Sequence, residues 1–138
     1  MMDRMDDLIA FLRARLDEDA ATARSGDEWT VNNQRNLVAG PTRDEKAKYH
    51  LVAVVVEDTE RTHIARHDPA RVLAEVDAKR RVLDEFVTSL NEKDKEHDET
   101  FGLQNWDFDP TALPLLQLLV LPYADHPDYR PEWAPTPR

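Results

Sequence analysis

Between residues 68 and 90 the apolar side chains keep a helical rhythm sustained longer than anywhere else in the chain. Val72, Val76, Lys79, Leu83, Phe86 and Leu90 recur at spacings of 4, 3, 4, 3 and 4, the seam of one long helix with a single lysine among its apolar positions. Asp68-Pro69 marks its start. An aspartate there accepts the first free N–H groups, and proline fits the first helical position, where a missing N–H costs nothing. A helix over 69–90 is therefore the spine on which the rest must pack. Lys79 either reaches the rim of a core, with Glu75 as its ion-pair partner four residues earlier, or sets the register of a homodimer formed through this helix.

A chain of 138 residues buries about two-thirds of its unfolded surface, enough for one modest core, so a single domain over 1–138 is expected. At its start, "MDDLIAFLRARLDEDA" puts Met5, Leu8, Ile9, Leu12 and Leu16 on one stripe, with Asp3, Asp6 and Asp7 at the positive end of the helix dipole. This predicts a helix over 3–19, ended by Ser25-Gly26. Scattered apolar residues between Trp29 and Val38 suit one short strand. The strongest strand signal is "YHLVAVVVE", where Val52, Val54, Val55 and Val56 make both faces apolar and predict a central strand. "RTHIARH" is read as a short strand pairing beside it across the "EDTE" turn. Near the end, "LPLLQLLVLP" is apolar on nearly every side and predicts a short buried helix between its prolines. Residues 122–138 hold five prolines and predict an extended tail, pinned by Tyr123, Tyr129 and Trp133. The class is α+β: a small antiparallel sheet of two to three strands packed against a long central helix, with an N-terminal helix, a short C-terminal helix and a proline-rich tail.

Function is constrained first by charge. Eighteen Lys and Arg against 28 Asp and Glu leave −10, which repels phosphate backbones and anionic lipid surfaces. The densest basic run, Lys79-Arg80-Arg81, is flanked by Asp77, Asp84 and Glu85, so neither direct nucleic-acid binding nor membrane binding is expected. Without cysteine there is no disulfide, thiol nucleophile or cysteine-ligated metal, in keeping with a reducing cytoplasm. The first twenty residues are too acidic for a signal peptide, and no apolar run approaches membrane-spanning length.

Acids concentrate in 91–110, which carries seven acids against two lysines and reads as an acidic surface loop. Asp94, Glu96, Asp98 and Glu99, interleaved with Phe101, Trp106 and Phe108, form a candidate partner-binding set, the aromatics serving as anchors or folding back on the core. The alternative chemistry lies in "HIARHDP" and "ADHPDY". His63, His67 and Asp68, joined by Asp125 and His126, offer two imidazoles and a carboxylate for zinc, iron or manganese, or an imidazole oriented by a carboxylate for acid/base work. If 63–67 is a strand and turn, the two histidines share a face but stand too far apart for one ion. Ser25 and Ser89 are the only serines, and three glycines are too few to shape a phosphate loop or oxyanion hole, so neither a catalytic residue nor a cofactor is assigned.

The phrases "MDDLIAFLRARLDEDA", "HIARHDPARVLAEVDAKRRVLDE" and "LLVLPYADHPDYRPEW" together resemble a domain family of unknown function found in Streptomyces, related actinobacteria and their phages. That resemblance covers about half the chain and implies no activity. It implies an accessory protein of phage or mobile genomes, a setting rich in small proteins that modulate host machinery. Members often carry cysteines before the last helix, and no cysteine-based metal site transfers to a chain that has none. The leading expectation is a non-enzymatic, cytoplasmic interaction protein whose acidic face, mainly 91–110, docks on a protein with a basic surface, as an inhibitor or regulator would. The alternatives are an enzyme built on the two histidine patches and a structural homodimer through helix 69–90.

Overall fold

A computed structural model describes residues 4–40, 49–101 and 112–137, the side chains of 4, 90–101 and 112 excepted. The fold is α+β, with four α-helices and one three-stranded antiparallel sheet among the described residues. The order is α1 (Arg4–Thr22), β1 (Glu28–Val31), β2 (Leu37–Gly40), β3 (His50–Ala53), α2 (Asp58–Arg66), α3 (Pro69–Phe101) and α4 (Ala112–Val120), followed by 3-10 turns at Leu121–Tyr123 and Pro131–Trp133. The chain divides into two compact units, residues 1–17 with 79–138 and residues 18–78, the boundaries falling inside α1 and α3.

The first unit is helical. Met5, Leu8, Leu12 and Leu16 of α1 are fully buried, as their common stripe requires, and Leu83, Leu116, Val120 and Trp133 join the core. Arg80 donates to Asp17 at 2.7 Å. The apolar run of α4 is a helix, but it buries one face only: Leu116 and Val120 are inside while Leu115 and Leu118 remain exposed. The tail is not extended. It folds into successive turns, closed by N–H to carbonyl bonds from Ala124 to Leu121, His126 to Tyr123 and Tyr129 to His126.

In the second unit the turn that follows α1 closes at Gly26, whose N–H donates to Ala23 O at 3.0 Å and whose φ of 64° is a left-handed conformation open to a residue without Cβ. The span 29–38, expected as one strand, is most of a hairpin. Asn32 explains the turn: its carbonyl accepts from Arg35 N–H at 2.9 Å, and its side-chain Oδ1 accepts from the N–H groups of Gln34 at 3.0 Å and Asn36 at 2.9 Å. Arg35 then takes φ of 61°, the three-residue loop of a tight turn followed by one left-handed residue. The strand order is β1-β2-β3, so β2 is central and carries the buried Leu37 and Ala39. Opposite Gly40 stands the ring of Tyr49, which occupies the space a Cβ would fill.

The valine-rich segment departs from expectation. Only His50–Ala53 pairs with β2, as an edge strand with a register shift opposite Leu37 and Val38, and Leu51 is 58% exposed. Beyond Ala53 the backbone leaves the sheet because a side chain takes over its carbonyls. The buried Arg61 donates to Val55 O and, at 3.0 Å, to Val56 O, while pairing with Asp58. Val54 and Val56 are left facing solvent.

Arg61 belongs to a helix, which is the second correction. Residues 58–66 form α2, not a strand, and β1 lies against it. Asp58 and Glu60 occupy its first turn and His63 and Arg66 its last, matching the helix dipole at both ends. The long helix starts at Pro69 as the Asp-Pro pair predicts, but it runs to Phe101, so residues 91–101, expected in a loop, continue α3. Residues 102–110 of that expected loop lie outside the described residues.

Candidate functional site

Four residues of spacing on a helix bring two side chains onto one face, about 6 Å of rise apart. Reading 58–66 as a helix therefore changes what "HIARH" can do. The rings of His63 and His67 stand 4.4 Å apart between centroids, tilted by 35°, and both side chains are exposed. His67 closes α2: its N–H donates to Ile64 O at 3.1 Å, and its ring Nδ1 lies 2.8 Å from His63 O. A carbonyl only accepts, so Nδ1 carries the proton and Nε2 keeps its lone pair.

The pair opens onto a groove of about 660 Å³ lined by Asp58, Thr59, Thr62, Arg66 and Arg71 beside the histidines. In this acidic chain the groove is locally basic, and its charges are partly compensated. Arg71 Nε donates to Glu75 Oε1 at 2.9 Å, and Asp58 pairs with Arg61, whereas Arg66 offers its guanidinium to solvent. Thr62 Oγ1 donates to Asp58 O at 3.0 Å, which leaves its oxygen lone pairs free to accept.

Asp68, adjacent in sequence, does not join them. It is buried, and both of its oxygens are spent: Oδ2 accepts from Trp29 N–H at 3.0 Å and Oδ1 from Arg71 N–H at 2.8 Å. Asp68 thus caps α3 and ties the cap to β1, and the imidazole–carboxylate dyad considered for His67 is replaced by the His67–His63 carbonyl bond.

The second patch lies in the helical unit, where the tail wraps around one side chain of α1. Phe11 meets the rings of Trp133 at 5.1 Å, His126 at 5.7 Å, Tyr129 at 6.0 Å and Tyr123 at 6.5 Å, in tilted or edge-on contacts. Arg15 lies over Phe11 and donates from NH1 to His126 Nδ1 at 2.9 Å, and Asp128 N–H donates to the same Nδ1 at 3.1 Å. Arg130 stacks on Trp133 and reaches Asp7 Oδ2 at 2.7 Å. Two donors on Nδ1 place the His126 proton on Nε2, opposite to His67.

Residues 5–135 match the model of the Family of unknown function (DUF6221). The chain belongs to that family. No curated protein and no solved structure matches it.

Within this DUF6221 chain, His63, His67 and Asp68 sit in the sheet-containing unit and Asp125 and His126 in the helical one. Among the described residues no group of three or more His, Asp or Glu side chains is placed to hold one metal ion. Asp94, Glu96, Asp98, Glu99 and Phe101 lie on the last turns of α3, and Trp106 and Phe108 lie outside the described residues. No described helix of the DUF6221 chain is long and apolar enough to cross a membrane. Sequence reading missed Thr59, Thr62, Arg66 and Arg71 as groove residues because "RTHIARH" was read as a short strand. The available signal was charge order, acids at 58 and 60 and bases at 63 and 66.

Proposed function

We propose that the protein is a non-enzymatic interaction protein of the cytoplasm that docks on a protein partner with a basic surface. The observation that carries the reading is the uncovered apolar strip along the sheet edge and beyond it, where Tyr49, Leu51, Val54 and Val56 face water, Val56 with 86% exposure. Such surface costs about 25 cal/mol per Å² to leave in water, and the edge strand β3 beside it, paired on one side only among the described residues, presents backbone donors and acceptors to a partner. Charge supports the sign of that partner: −10 overall, with Glu92, Asp94, Glu96, Asp98 and Glu99 crowded on the end of α3 against Lys93 and Lys95. The phage and mobile-element setting implied by the resemblance in sequence favours a host protein as target and inhibition or regulation as outcome.

The test is capture by the immobilised full chain at about 50 and about 200 mM salt, with three baits: wild type, a variant with 94, 96, 98 and 99 changed to Asn or Gln, and Leu51→Ser/Val56→Ser. One basic partner, lost at the higher salt and weakened by both variants, is the expected result. A partner held equally by all three baits at both salts contradicts the reading.

A further inference from the structure

We propose that His63 and His67 form a two-imidazole chelating site on α2 for a divalent transition-metal ion of borderline softness, copper(II) ahead of nickel(II) and zinc(II). This inference is independent of the docking surface. Three observations combine. The two rings already lie side by side, 4.4 Å between centroids. Two nitrogen donors with metal–nitrogen bonds of about 2.0–2.1 Å sit about 2.9 Å apart at neighbouring corners of tetragonal copper(II) and about 3.3 Å apart on tetrahedral zinc(II). Rotation of the His63 side chain, whose ring makes no hydrogen bond among the described residues, turns its nitrogen toward His67 Nε2 while the His67 ring stays where its bond to His63 O holds it.

The bond from His67 Nδ1 to His63 O is the second observation. Metal-binding histidines commonly give their other ring N–H to a carbonyl or carboxylate, which fixes the tautomer and turns the remaining lone pair toward the ion. Here the helix itself supplies that carbonyl. Third, both histidines are exposed on a groove of about 660 Å³, so an ion held there keeps room for water in its remaining positions.

The neighbours set the character of the site. Thr59 and Thr62 line the groove beside the pair, and the lone pairs of Thr62 suit a metal-bound water. Arg66 opposes a bare cation and favours an anionic co-ligand on it. With two protein ligands the site is open and exchanging, and preference follows the general affinity order in which copper(II) leads.

Copper(II), nickel(II) and zinc(II) salts alone are titrated into the full chain by calorimetry in a non-coordinating buffer, with His63→Ala, His67→Ala and His50→Ala beside the wild type. One ion per chain, an affinity falling at least tenfold in each of the first two variants, and no change in His50→Ala is the expected result. Because both residues are exposed, the variants fold, which circular dichroism checks. In the unaltered chain, nickel(II) or copper(II) must also broaden the ring resonances of His63 and His67 before those of His126. Absence of stoichiometric binding overturns the proposal, as does binding that survives both variants. Inorganic phosphate binding the groove without metal and lost in Arg66→Ala, with no metal uptake by the wild type, replaces it with an anion site.

Discussion

His126 in the tail and His67 at the end of α2 both use Nδ1 to hold local structure, with opposite polarity. At His126 the nitrogen receives two donors, Arg15 and Asp128 N–H, and the ring is wedged against Phe11. At His67 it donates to a carbonyl one turn back, and the ring stands in the open beside His63. The first histidine is consumed by the fold, whereas the second keeps an unused lone pair on an exposed face. Equal sequence signals, a histidine beside Asp and Pro, thus separate into a structural and an available group, and what separates them is burial and the chemistry of the partner.

The comparison breaks most readily at the tail. Trp133→Ala removes a 2% exposed ring from the Phe11 cluster and is expected to lower unfolding free energy by about 3–5 kcal/mol, read by urea denaturation. Asp68→Ala strips the cap of α3 and leaves Trp29 N–H without its charged acceptor, an expected loss of about 2–3 kcal/mol by the same assay. Asp68→Asn keeps an acceptor and is expected to recover about 1 kcal/mol of it.

How far these roles were legible differs by element. The stripe of α1, the Asp-Pro start of α3 and the class of the fold follow from periodicity and capping, which are local. The extent of β3 does not, because the ladder ends where Arg61, six residues beyond Val55, captures its carbonyls, a long side chain outbidding β-propensity. The hairpin at 32–36 was missed because its left-handed position is an arginine rather than glycine, with Asn32 supplying the turn. For the candidate site, "HIARH" was singled out in the sequence but read as a strand, so the placement of its two rings was missed. A strand puts the two rings on one face but apart; a helix stacks them.

Smaller effects sharpen the contrast. His126→Ala removes one of the acceptors of Arg15 and the acceptor of Asp128 N–H, and is expected to cost about 1–2 kcal/mol in urea denaturation. His63→Ala and His67→Ala, on an exposed face of α2, are expected to change stability by no more than about 0.5 kcal/mol. A loss at His67 equal to that at His126 erases the distinction between the patches.

The most direct test is the imidazole tautomer, read from long-range proton–nitrogen correlation spectra of the ring nitrogens at about pH 8, where an ordinary imidazole is neutral. The account predicts opposite patterns: the proton on Nδ1 in His67 and on Nε2 in His126. The same tautomer at both positions, or rapid averaging at His67, contradicts it, because the lone pair that makes the α2 pair available is then not held outward by the helix.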